Sequence, residues 1–148
     1  MRQFDRRGRV RWFLDYSARG AGRNHTIDDG TIAPTAAVAS LPFAPEIVIP
    51  AVEEMHDRYG NYIYSKYGFL DSFNRSFTAQ DAKLSDGRVD PGFGWIAKDY
   101  LGIDQGPILA MICNYRNELV WEDMRKCLPI RRGLERAGFS GGWLDRSA

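Results

Sequence analysis

Proline placement is the tightest constraint on what this chain can fold into. Proline is tolerated in the first turn of a helix, where its missing N–H would go unpaired anyway, and it opposes helix in the residue before it. Pro34, Pro45 or Pro50, Pro107 and Pro129 stand at or just before runs whose apolar residues recur at the helical period. Pro34 opens the small-residue run TAAVAS, a short helix whose side chains permit close approach and burial. The segment LPFAP (41–45) breaks it. A longer amphipathic helix follows, with Ile47, Val48, Ala51, Val52 and Met55 on its apolar face, and Gly60 ends or kinks it. The clearest helix comes after the approach GIDQG (102–106), with Pro107 in its first turn, and runs to about Met124. A last short helix covers 130–137, and Gly138 stops it. Residues 1–30 are irregular, and 75–95 form a long loop rich in Asp, Gly and Pro. No alternating stretch stands out as a strand, so the pattern predicts an all-α fold.

The chain has 148 residues, enough for one domain or part of one. Lys+Arg is 20 against 19 for Asp+Glu, a balance that argues against a nucleic-acid partner. No apolar run approaches the length of a membrane-spanning helix, so no membrane partner is expected. Arg2, Arg6, Arg7, Arg9 and Arg11 lack an apolar stretch behind them, so this start is not a secretory signal and reads as a solvated end. Cys113 and Cys127 lie about 21 Å apart if one helix carries both. That is too far for a disulfide. Phosphate-loop, nucleophile-elbow and metal-ligand spacings are absent, and His25 and His56 have no suitably placed second ligand. Neither a metal nor a cofactor is expected.

Carboxylates set among aromatic residues remain. Asp28 and Asp29 precede one helix, Asp104 precedes another, and Asp71 sits in GFLDSFN beside Tyr64, Tyr67, Phe69 and Phe73. Trp95 and Tyr100 precede Asp104. An aspartate at a helix N-terminus is favoured in its ionised form, which suits a general base or an acceptor for sugar hydroxyls. The same residue is equally a helix cap. An aromatic cluster with polar residues is likewise a carbohydrate cleft or a core with polar caps.

The strings DDGTIAPTAAVASLPFAPE, YGFLDSFN and GWIAKDYLGIDQGPILAMICNYR, in that order, resemble the glycoamylase-like domain family. Endo-β-1,2-glucanases belong to it, and cyclic β-1,2-glucan synthases carry a related region. The resemblance runs from about Tyr16 to Trp143, which sets residues 1–15 apart as an unmatched basic segment and assigns 16–148 to the domain. It implies an (α/α)6 barrel. Twelve helices with their loops need roughly 190 residues, so the chain resembles the C-terminal part of such a barrel.

The resemblance also implies acid/base hydrolysis of a glucan, with β-1,2-glucan or its oligosaccharides as substrate and inversion at the anomeric carbon. On the matching motifs, Asp104 is the favoured base and Asp71 the second candidate. Asp29, Asn74, Trp95, Gln105 and Arg116 are candidates for substrate contacts. The general acid is expected upstream, on a complementary segment encoded separately. The alternatives are an inactive remnant that binds carbohydrate, or a helical interaction domain. Family members are often exported, and the compartment of this chain stays open.

One departure stands out. Many family members read Ile-Glu-Asn-Tyr-Arg where this chain has Ile112-Cys113-Asn114-Tyr115-Arg116. A glutamate at 113 would face Arg116 across one helical turn. Cys113→Glu is therefore expected to raise the melting temperature slightly, by the ~1 kcal/mol or less of a surface ion pair, in a calorimetric comparison with the parent chain.

Overall fold

The structure, a computed structural model, describes residues 2–4, 10–12 and 29–145. Strand β1 (Arg2–Phe4) pairs antiparallel with β2 (Val10–Trp12), so part of the start expected to be irregular is a hairpin. His25, Asp28 and the rest of the glycine-rich stretch before Asp29 lie outside the described residues.

From Thr31 onward the proline signals come out as helices. Helix α1 (Pro34–Ala39) starts on its proline and ends at Ser40, whose hydroxyl donates to the Ala36 carbonyl at 2.9 Å. Helix α2 (Pro45–Ile63) also starts on a proline, tolerates Pro50 in its second turn and passes through Gly60 unbroken. Its inward stripe is Val48, Val52, Met55, Tyr59 and Tyr62, spaced by fours and threes. Of the expected apolar face, Ile47 and Ala51 instead point outward. The tyrosines set the rotation of this helix, because Tyr62 stacks on Phe93 at 4.3 Å and Tyr59 meets Phe73 and Phe93 at 5.6 and 5.5 Å. Ile63, Phe69, Phe73, Phe93 and Ile96 form the buried cluster beneath them.

Short strands, which the hydrophobic pattern did not show, supply this cluster. The helix runs into a hairpin of β4 (Tyr64–Ser65) and β5 (Gly68–Phe69). Strand β3 (Thr31–Ile32), β6 (Phe73–Asn74), β7 (Arg88–Asp90) and β8 (Gly94–Ile96) form an antiparallel sheet in the order β3-β6-β8-β7. The expected loop 75–95 is therefore cut short at β7. Each strand has two or three residues, and all three of β8 are buried, so there is no alternation to detect. Gly94, at φ +129, is required there: a Cβ would stand 2.3 Å from the Asn74 carbonyl oxygen.

Helix α3 (Gly102–Asn117) starts five residues before Pro107, with the Gln105 N–H donating to the Leu101 carbonyl at 2.9 Å. It also stops early. Glu118 takes a left-handed conformation, φ 55, and α4 (Leu119–Arg125) sets off in a new direction. Asn114 makes this corner. It is 2% exposed, and its Oδ1 accepts the N–H groups of Val120 and Trp121, each at 3.0 Å. Helix α5 (Leu128–Arg136) ends at Gly138, φ +84, where Phe139 N–H returns to the Leu134 carbonyl at 3.0 Å. Cys113 and Cys127 are free thiols. No helix of the described residues is long and apolar enough to cross a membrane.

Helix α1 packs between α2 and α3. The last three helices bury no large apolar side chain: Asn114 is the buried residue of α3, and α4 and α5 have none. Ile103 and Leu109 are 82% and 68% exposed, and Leu119 and Leu128 are also exposed. Asn114→Ala removes the one acceptor of both N–H groups at the corner and is expected to cost about 2 kcal/mol, the sum of two caps. In a thermal melt that is a loss of about 4–8 °C. Asn114→Asp keeps an acceptor at the same place and is expected to lose much less.

Candidate active site

The chain between β5 and β6 crosses the starts of two helices, and both helices hold it. Thr35, in the first turn of α1 and 1% exposed, donates its hydroxyl to the Asp71 carbonyl at 3.3 Å. From the first turns of α3, Gln105 donates its Nε2 to the Phe69 carbonyl at 3.1 Å. Asp71 N–H donates to the Asp99 carbonyl at 3.3 Å, and Ala97 N–H donates to the Ser72 carbonyl at 2.9 Å. Four main-chain groups of a four-residue strap are thus fixed, and the Asp71 side chain can leave it in one direction. The Ser72 hydroxyl donates to Asp71 Oδ2 at 2.7 Å.

Asp104, the third residue of α3, brings its carboxyl within hydrogen-bonding reach of Asp71. Its pKa is raised from the ordinary value. Burial is the largest cause, followed by the hydrogen bond with Asp71 and then the Asp71 charge. Two carboxylates this close cannot both ionise freely. Burial and the facing carboxylate thus oppose the charged form that a helix N-terminus favours. Capping does not explain Asp104 either, because α3 has no side-chain cap.

The other sequence candidates fall into different places. Gln105 is at the site, but its amide is already committed to the strap. Asn74 is buried and donates Nδ2 to the Asp29 carbonyl at 2.9 Å and to Thr31 Oγ1 at 3.1 Å, while its Oδ1 accepts Ser76 N–H at 2.8 Å. Asp29 is also buried, with Oδ1 accepting Thr31 N–H at 3.0 Å. Trp95 is 0% exposed, packed with Phe77 and Ala97, and its indole N–H donates to the Asp86 carbonyl at 3.0 Å. It offers no ring face for stacking on a sugar. Arg116 is exposed twelve residues beyond Asp104, about 18 Å along α3. It makes no ion pair with the described residues. Structure thus joins Asp71, Asp104 and Gln105, and separates them from Asp29, Asn74, Trp95 and Arg116.

Sequence reasoning passed over Thr35 and Ser72, and it named Tyr100 only as one aromatic near Asp104. The Tyr100 hydroxyl is buried without a hydrogen-bond partner just before α3, and its ring meets the exposed Tyr67 edge-on at 5.4 Å. Beside the strap, Phe69 also lines an open groove of about 500 Å³ with Val52, Glu53, His56, Asp57 and Tyr64.

Comparison with known proteins gives the class of this helical chain, whose Asp71 on the strap faces Asp104 on α3. The family model Glycoamylase, described as "Putative glucoamylase", matches residues 2–128, and the chain belongs to this family. The match begins inside the basic segment 1–15 that the resemblance had set apart. The exo β-1,2-glucooligosaccharide sophorohydrolase (non-reducing end) of Parabacteroides distasonis is 28% identical over 109 residues, 74% of this chain and 13% of that protein. An endo-β-1,2-glucanase from Chitinophaga pinensis, solved in complex with sophorotriose and glucose, aligns at TM-score 0.66 and 30% identity. That alignment covers 97% of this chain and 28% of the other. A Bacteroides uniformis protein of the family's description aligns at TM-score 0.63 and 36% identity, over 80% of this chain and 25% of its own. The fold is accordingly part of an (α/α)6 barrel, and the chain spans about a quarter of the length of these solved structures.

The raised pKa of Asp104 has a consequence for stability. A carboxyl whose folded pKa lies above its unfolded value destabilises the fold when ionised, and this penalty disappears as pH falls through the folded pKa. Asp104→Asn mimics the protonated form and can still donate to Asp71. It is expected to raise stability in urea melts at neutral pH, with the advantage shrinking as pH falls toward the ordinary aspartate value of 3.8.

Proposed function

We propose that this chain supplies the base side of a site that hydrolyses a glucan, with β-1,2-linked glucose oligomers as substrate. The observation that carries the reading is the facing pair Asp71 and Asp104 at the start of α3. Relatives that act on β-1,2-glucans support the substrate class.

Geometry constrains how the pair works. An inverting pair of carboxyls stands about 6.5–9.5 Å apart, leaving room for a water, and a retaining pair about 5–5.5 Å. Asp104 faces Asp71 closely, which supports placing both carboxyls on the same side of the sugar. They act together on one side of the bond. Asp104, with its raised pKa, keeps a proton more readily, and Asp71 is the acceptor that takes a proton from the attacking water. This exchanges the roles that the family motifs alone suggested. The general acid belongs on another element, across the cleft, on the remainder of the barrel. The aromatic and acidic groove beside Phe69 offers ring faces and hydroxyl acceptors to further glucose units.

The test is release of glucose oligomers from β-1,2-glucan by this chain combined with a polypeptide bearing the other helices of the barrel. Asp71→Asn is expected to lower turnover by about 10²–10⁴-fold, the usual loss of a general base. Turnover undiminished in Asp71→Asn and in Asp104→Asn would sink the assignment. Oligosaccharide binding by calorimetry without hydrolysis under any combination would instead favour a carbohydrate-binding remnant.

A further inference from the structure

Ser72 has its main chain pinned to the edge of the sheet, through the Ala97 N–H on its carbonyl, and its side chain almost enclosed at 7% exposure. The one hydrogen bond of its hydroxyl runs 2.7 Å to Asp71 Oδ2. Asp71 in turn is fixed by Thr35 on its carbonyl and Asp99 on its N–H. The facing Asp104 is delivered by α3, which Gln105 ties to the same strap. A donor aimed at one member of a facing carboxyl pair breaks the symmetry between them, because it favours the charged form of the group it touches.

We propose that Ser72 is a positioning residue that keeps the negative charge of the pair on Asp71 and leaves the shared proton to Asp104. This rests on the reading of the pair as the hydrolytic base. Among the described residues, no competing donor of comparable geometry reaches the Asp71 carboxyl. Helix α1 carries no charged residue. Lys98 pairs with Asp86 at 3.3 Å, and Lys66 lies over the Tyr67 ring at 5.0 Å. Asp99 is exposed and meets Asp71 through its carbonyl, and the buried Tyr100 hydroxyl has no partner. Among the described residues, Asp71 is the charge that acts on Asp104.

Carbon-13 NMR of the full chain, labelled at its aspartate carboxyl carbons and titrated through the acidic range, reads where the proton sits without any substrate. In the parent chain the Asp104 carboxyl is expected to stay protonated to higher pH than an ordinary aspartate. In Ser72→Ala its midpoint is expected to move down, as the proton is shared with Asp71, and Ser72→Thr is expected to restore it. In an Asp71→Asn background, Ser72→Ala is expected to leave Asp104 unmoved, since the effect passes through Asp71. An Asp104 midpoint unchanged by Ser72→Ala, or shifted equally in both backgrounds, overturns the proposal. If Ser72→Ala does not fold, Ser72→Cys, similar in size and a weaker donor, gives the same comparison. Hydrolysis that survives Asp71→Asn would sink the functional reading alone, and the NMR comparison would still decide the role of Ser72.

Discussion

The strap from Phe69 to Ser72 is held by its backbone, and the arrangement at that end of the molecule depends on this. Thr35 and Gln105 come from two different helices and bind two carbonyls of the same short segment. Helices α1 and α3 are thereby located relative to each other by hydrogen bonds to a third element as well as by direct packing. The side chain of Asp71 is left over once its N–H and carbonyl are used. Its position beside Asp104 is therefore a by-product of backbone pairing. Such a site is stiffer than one in which two loops each present a single carboxylate, because moving Asp71 requires breaking several hydrogen bonds at once.

Apolar burial is distributed very unevenly. Tyr59, Tyr62, Phe69, Phe73 and Phe93 concentrate it between α2 and the small sheet, with Trp95 and Phe77 in a second cluster behind. Along α3, α4 and α5 the large apolar side chains remain in contact with solvent. Besides the packing of α1 on α3 and of Phe43 on Trp121 at 5.9 Å, polar contacts hold these helices: the Asn114 corner, the glycine-terminated end of α5, and surface pairs such as Arg125 with Glu118 and Glu122 at 2.6 Å. Exposed ion pairs contribute little. Ile103 and Leu109 stand exposed on different sides of α3, in a chain that spans about a quarter of its solved relatives.

At the start of α3, burial and a neighbouring carboxylate oppose a preference set by local structure. The dipole of a helix favours an anion in the first turn by a few tenths to about 1 kcal/mol. A partly buried carboxyl facing another carboxylate feels larger opposing effects, and the pKa of Asp104 rises. The same logic removes Asn74, Asp29 and Trp95 from the surface that a ligand could reach. Their polar atoms are consumed in stitching β3 to β6 and in closing the Asp86 loop over the indole.

Helix starts were legible in the sequence because proline acts locally: its fixed φ and missing N–H mark a first turn whatever packs on it, as at Pro34, Pro45 and Pro129. Gly138 was legible for the same reason, as a residue free to turn left-handed. The family strings marked Asp71 and Asp104 individually. Tertiary structure decided the rest. The strands of two and three residues exist because a buried partner strand lies alongside, and no periodicity can develop over so few positions. The corner at Glu118 exists because Asn114 folds back onto N–H groups six and seven residues ahead. Asp104 comes to face Asp71 because side chains of α1 and α3 both bond one strap, each to a carbonyl 36 residues away in sequence. A residue's conformation is a local property, readable from its neighbours in sequence. A carboxyl's charge and a ring's exposure depend on what arrives from elsewhere in the chain.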